Sequence, residues 1–270
     1  MSVPTRLAVI GGGRMGEAII GGLLAAGSFA GGSIVVAEPD AGRRAALAAS
    51  HGVRCVAEGR EAVADATMVI LAVKPHVLAA VVESIVGALR PDAVVVSIAA
   101  GVSTARIESM LPADSVVVRV MPNTPALVRA GMAVVSGGSA ATASQVEQVR
   151  GVFGALGQAI IVEERHQDAA TAISGSGPAY VAILVDALSR AGVRHGLPRD
   201  VAQRLAVQTL RGTAELLEQT GQHPEALADA VASPGGTTIA AIEALEAGGF
   251  RASIGAAVTA AVERAKELGS

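Results

Sequence analysis

Residues 9–19 read VIGGGRMGEAI, which sets Gly11, Gly13 and Gly16 in the spacing Gly-x-Gly-x-x-Gly. The apolar run LAVI (7–10) precedes them, and a helix-like segment over 15–26 follows. A glycine turn between a strand and a helix suits a dinucleotide for definite reasons. The first glycine permits the tight turn, the second lets backbone approach a pyrophosphate, and the third packs helix on strand. The helix N-terminus meanwhile offers N–H groups and partial positive charge. In a chain with 32 glycines the spacing alone says little. Its position between the first strand and first helix of a βαβ unit carries the reading. Gly11, Gly13, Arg14, Met15 and Gly16 are therefore the first candidate cofactor-binding residues.

Outward from this loop, short apolar runs recur at 7–10, 34–37, 68–73, 93–99, 116–120 and 159–162. They are continuous rather than alternating, as in strands covered by helices on both faces. Helix-like segments at 15–26, 41–50 and 76–89 lie between several of them, the rhythm of a doubly wound parallel sheet. After about residue 165 the strand-like runs cease. Residues 168–268 read as successive helices broken at SGSGP, HGLP, GQHP, SPGG and AGGF, with Pro198 and Pro224 as helix-start signals. The expected organisation is an α/β domain over 1–165 and an all-α domain over 166–270. Helices this rich in Ala and Leu also predict burial against a second subunit.

Composition narrows the function. The chain is 51% hydrophobic but has no Trp, one tyrosine (Tyr180) and three Phe, so its core must be aliphatic. A net charge of −3 gives no basic footprint for nucleic acid. Cys55 is the sole cysteine, which rules out an internal disulfide and suits a reducing cytoplasm. The five histidines are scattered and no His or Cys pair has ligand spacing, so no metal site is expected. The uncharged stretch from Ala18 to Ala37 reaches membrane-spanning length. Its five glycines and β-branched end favour a helix, a turn and a strand instead. No signal-peptide pattern opens the sequence, and a cytoplasmic protein is expected.

Further candidates sit at strand ends, where open α/β sheets bind ligands. Glu38, 22 residues past Gly16, stands where an acid meets the adenosine ribose of NAD, whereas Arg43 and Arg44 could grip a 2′-phosphate. Ala72, Val73, Lys74 and Pro75 follow one strand, and Ile98, Ala99 and Ala100 follow the next. Asn123, in MPNTP, could hydrogen-bond a carboxamide or ribose.

Together with LAVKPHVL (71–78), VSIAAGVS (96–103), RVMPNTPALVRAG (119–131), ISGSGPAYV (173–181), GLPRDVA (196–202) and VASPGGTTIAAIEALEAGGFR (231–251), the glycine loop resembles the Δ1-pyrroline-5-carboxylate reductase family end to end. The resemblance implies a Rossmann N-terminal domain, an all-helical dimerisation domain and dimers that assemble further into decamers. It implies reduction of a cyclic imine, pyrroline-5-carboxylate, to L-proline with NADPH or NADH. The substrate would rest on Ser233, Gly235, Gly236, Thr237 and Thr238, with Glu164 a lesser candidate and Thr238 meeting the ring nitrogen. Gly59 and Ala230 depart from polar residues common in the family.

The chemistry agrees with the residue inventory. Hydride reaching a protonated imine leaves a neutral amine, so positioning matters more than acid–base catalysis. A β-hydroxyacid dehydrogenase, the main alternative, would need a proton donor such as a lysine early in the second domain. The only lysines are Lys74 and Lys266. A second alternative is an NAD(H)-binding redox sensor without catalysis, for which the sequence offers no readout segment.

Overall fold

The structure is a computed structural model and describes residues 6–269. By internal packing the chain forms two compact units, one comprising Met1–Ser176 with Ala261–Ser270 and the other Gly177–Ala260.

The first unit holds eight strands: β1 (Leu7–Ile10), β2 (Ile34–Ala37), β3 (Arg54–Val56), β4 (Met68–Leu71), β5 (Val94–Ser97), β6 (Val116–Met121), β7 (Gly131–Gly137) and β8 (Gly157–Ile161). Between and after them run α1 (Arg14–Ala25), α2 (Ala41–His51), α3 (Gly59–Val63), α4 (Pro75–Ile85), α5 (Thr104–Glu108), α6 (Ala143–Gly154) and the short α7 (Gln167–Ala170). The strands form one sheet in the order β3-β2-β1-β4-β5-β6-β7-β8. All neighbours are parallel except β6 and β7.

Why the strands read as unbroken apolar runs is visible in β1. Leu7 and Val9 join a core with Ile19, Ile20 and Leu23 of α1 and Phe153 of α6. Ala8 and Ile10 join a second core with Val63 of α3 and Leu78, Val82 and Ile85 of α4. Successive side chains point to opposite faces, so a strand covered on both sides has no polar face to show. The stretch from Ala18 to Ala37 forms the rest of α1, a turn and β2.

Two strands were not foreseen. β3 has only three residues, too few for a periodic signal. β7 follows β6 through only a short 3-10 turn, Thr124–Val128, with no crossover α-helix, because an antiparallel neighbour needs only a short connection. Its apolar core of Ala133, Val134 and Val135 is bracketed by Gly131 and Gly137, which read as a turn-rich stretch.

The second unit is helical: α8 (Gly177–Arg194), α9 (Arg199–Thr220), α10 (Pro224–Val231), α11 (Thr237–Ala247) and the opening of α12 (Phe250–Gly269). α8 and α9 approach closely at Gly192, where an added Cβ would lie 3.0 Å from that of Ala202. Many large apolar side chains stay exposed in the single chain, among them Val181, Ile183, Leu188, Leu205, Val207 and Leu216. Within the helical stretch Glu164–Arg194 an 18-residue window reaches a mean hydropathy of 1.3, long and apolar enough to cross a membrane by length and composition alone.

Candidate active site

The strand order reverses between β1 and β4, so the loops leaving these two strands diverge and open a crevice at their carboxyl ends. Gly11 and Ala72 stand side by side there: Ala72 N–H donates to Ile10 O (2.8 Å) and Gly11 N–H to Ala37 O (2.9 Å). Gly11 has φ +107°, and a Cβ on it would lie 2.6 Å from Ala72 O. A Cβ on Gly16 would collide with Gly11 O, and one on Gly12 would press on Leu47 and Glu38. These three glycines are demanded by the protein's own packing. Gly13 is different. A Cβ there would meet nothing within 4 Å, and Gly13, the N-cap of α1, has no side chain with which to cap that helix end. The first-turn N–H groups of α1 lack intrahelical partners, and the space at Gly13 leaves them open, the arrangement in which helix N-termini receive anions. Arg14 is exposed and Met15 half-buried beside it.

Glu38, at the end of β2, is 4% exposed. Its Oε2 accepts Gly12 N–H (2.9 Å) and its Oε1 accepts Asp40 N–H (3.0 Å). Arg43 Nη1 lies 3.5 Å from Oε2, while Arg44 donates to the carbonyls of Glu38 and Pro39. Val73 and Lys74 lead into α4, with Lys74 as its exposed N-cap and Pro75 as its first residue. Ile98, Ala99 and Ala100 leave β5, and Ala99 is fixed by an N–H bond to the buried Ser97 hydroxyl (3.3 Å).

Asn123 is occupied within the chain. Its Nδ2 donates to Ser174 O (2.9 Å) and its Oδ1 accepts Met132 N–H (2.8 Å), so it ties the end of β6 to β7 and to the π turn Thr171–Gly175. Glu164 is likewise engaged. Thr104 N–H donates to its Oε1 (2.7 Å), Thr104 Oγ1 to its Oε2 (2.5 Å), and Arg119 reaches both Glu164 (3.4 Å) and Asp168 (3.2 Å). Arg119, 6% exposed on β6, pairs in register with Ser97, so this tie holds the far end of the loop after β5. Sequence reasoning passed over Arg119, Thr104 and Asp168. The available signal was a lone arginine inside the apolar run VVVRV, since a charge in a covered strand needs buried partners.

In the second unit, Ser233-Pro234-Gly235-Gly236 forms a turn closed by Gly236 N–H to Ser233 O (2.9 Å). Pro in the second place and Gly235 at φ +67° in the third are what a type II turn requires. Gly236 then caps α11, again with no side-chain bond to the helix end. A Cβ on Gly236 would clash with Ser233 Oγ. With the Gly236 N–H closing the turn, Thr237, Thr238 and Ile239 carry the first-turn N–H groups that lack intrahelical partners. Ser233, Gly235 and Thr237 are exposed and Thr238 is half-buried. Thr238 borders a groove of about 560 Å³ between α9, α10 and α11, lined also by Leu216, Leu227, Val231 and Ile242.

Among the described residues, no group of three His, Cys, Asp or Glu side chains could hold a metal ion.

Comparison with known proteins covers the chain in two parts. Residues 164–268 match the family model "Pyrroline-5-carboxylate reductase dimerisation", and residues 6–101 match "NADP oxidoreductase coenzyme F420-dependent". A pyrroline-5-carboxylate reductase of Synechocystis is 46% identical over 98% of this chain and 98% of its own. That of Escherichia coli is 39% identical over 97% of this chain and 98% of its own. The solved reductase of Coxiella burnetii superposes with a TM-score of 0.94 at 36% identity, covering 99% of this chain and 100% of that one. A Plasmodium falciparum pyrroline carboxylate reductase solved with NADP bound gives 0.89 at 30% identity, covering 99% of each chain. A Mycobacterium tuberculosis 3-hydroxyisobutyrate dehydrogenase, at 18% identity and a TM-score of 0.53, shares the fold alone. With likeness of this extent running through both the glycine loop and the helical unit, the chain belongs to the pyrroline-5-carboxylate reductase family.

Proposed function

We propose that this protein reduces Δ1-pyrroline-5-carboxylate to L-proline, using NADPH or NADH as hydride donor. The observation that carries the reading is near-full-length likeness to relatives of that name at 39–46% identity. The cofactor, when bound, would supply a hydride to the carbon of the protonated imine, whose C=N π electrons then become the nitrogen lone pair of a neutral ring amine.

The chain's own residues then have to bind and orient. Gly13 and the first turn of α1 receive the pyrophosphate, Glu38 and Arg43 face the adenosine ribose, and the segments 72–75 and 98–100 border the nicotinamide half. In this reading Asn123 and Glu164 act on those loops through their own hydrogen bonds. The α11 N-terminus holds the substrate carboxylate through the Thr237 and Thr238 N–H groups and the helix dipole. Gly235 and Gly236 shape the turn that bares them. The Thr238 hydroxyl bonds the ring nitrogen, and Ser233 flanks the carboxylate. No residue is required to give or take a proton during hydride transfer, which agrees with the absence of lysine between Lys74 and Lys266.

The exposed apolar faces of α8 and α9 are covered by a second copy of the chain, a reading supported by the dimerisation model over 164–268. Further assembly into decamers and a cytoplasmic location complete it, without nucleic acid or membrane as partner. Adding pyrroline-5-carboxylate to protein and NADPH or NADH should abolish the nicotinamide absorbance while proline accumulates. Binding of the dinucleotide with no oxidation would favour a redox sensor, and light scattering that finds a monomer would remove the second copy.

A further inference from the structure

The geometry around Glu38 points to a cofactor preference. We infer that Glu38 selects NADH over NADPH by reading the free ribose diol, an inference that rests on the dinucleotide-binding role proposed above. Three observations carry it.

First, the Glu38 carboxylate cannot swing aside cheaply. Only 6% of its side chain is exposed, and it accepts N–H groups from Gly12, within the cofactor loop, and from Asp40. Turning it away would strand both donors, one of them buried. Second, each carboxylate oxygen has a further lone pair after accepting one N–H. These can accept from hydroxyls, which donate, whereas a 2′-phosphate offers oxygens and added negative charge. Third, the two arginines do not form a phosphate clamp. Arg44 Nη1 is held by the carbonyls of Glu38 and Pro39 at 2.8 Å each. Arg43 leans on Glu38 itself, and the Asp40 carboxylate, which caps α2, adds a second negative group at the same corner. A phosphate entering beside Arg43 would meet the Glu38 carboxylate 3.5 Å from that guanidinium.

The test is direct binding to the full-length protein without substrate, followed by nicotinamide fluorescence. NADH should bind about tenfold or more tightly than NADPH, as expected for like charges meeting in a partly dry corner. Competition by 5′-ADP and 2′,5′-ADP isolates the adenosine end, and 5′-ADP should be the better competitor. Glu38→Gln keeps an acceptor for Gly12 while removing the charge, and should narrow the gap mainly by tightening NADPH. NADPH binding as tightly as NADH in the wild type, 2′,5′-ADP winning the competition, or an unchanged ratio in Glu38→Gln would each overturn the inference. Failure of both dinucleotides to bind would instead overturn the dinucleotide-binding role beneath it.

Discussion

Two glycine corners open helices in this chain, and they are built on opposite principles. The corner at Gly11–Gly16 is buried and over-determined: Gly11 lies against Ala72, Gly12 against Leu47 and Glu38, and Gly16 against Gly11. Only Gly13 faces open space. The corner at Ser233–Gly236 is exposed and held by one turn hydrogen bond, with a left-handed glycine and a helix cap that no side chain occupies. The first is completed by residues between Gly11 and Ala72. The second presents its donors on a surface whose neighbouring groove is apolar. The first corner cannot change shape without displacing its neighbours, whereas the second rests on a single backbone hydrogen bond.

The largest expected effect breaks the buried corner. Gly11→Val would force a β-branched side chain to φ +107° and onto the Ala72 carbonyl, at a cost of about 3 kcal/mol or more. Thermal melts should show a drop of several degrees together with lost dinucleotide binding; an unchanged melt would mean the loop is looser than its contacts imply. At the exposed corner Thr238→Ala should leave the melt and dinucleotide affinity intact. It should lower kcat about a hundredfold, the scale of a misoriented reacting group. Unchanged kcat would remove the hydroxyl from the reaction. Gly236→Ala, which crowds Ser233, should raise KM for the imine about tenfold with little change in dinucleotide Kd. If the two constants moved together, the corners would not be independent.

The smallest effect concerns Arg251, which bridges Glu225 at the start of α10 and Glu246 near the end of α11. Its hydrogen bond lowers the Glu225 pKa from the ordinary 4.5. A depressed carboxyl pKa adds stability that is fully present above pH 4.5 and fades as pH falls through the lowered value. These side chains are exposed, so Arg251→Ala should shift the melt slightly at neutral pH, and the difference should vanish in acid. A shift that persisted in acid would point to packing by the arginine stem.

The α/β-then-helical order could be read because covered parallel strands leave unbroken runs such as MVIL and VVVS, and because glycines mark the first crossover. β7 escaped, since an antiparallel strand framed by Gly131 and Gly137 resembles a loop. The glycine positions of both corners were readable for the same steric reasons that make them glycines. Partners were not. That the Asn123 amide is bound to Ser174 and Met132, and that Gly236 N–H closes its own turn, depend on contacts that spacing does not encode. Arg119 was hidden for a related reason: a buried cation is explained only by acids 45 and 49 positions away.

Separations of this kind have a consequence during synthesis. Thr104 finds its acceptor on Glu164 60 residues later, so the loop after β5 stays untethered until the ribosome has released the segment beyond β8. Every contact named for the buried corner lies within the first 72 residues. The partners of the glycine corner therefore emerge early and those of the next loop late, while the core under β1 and α1 still awaits Phe153 of α6.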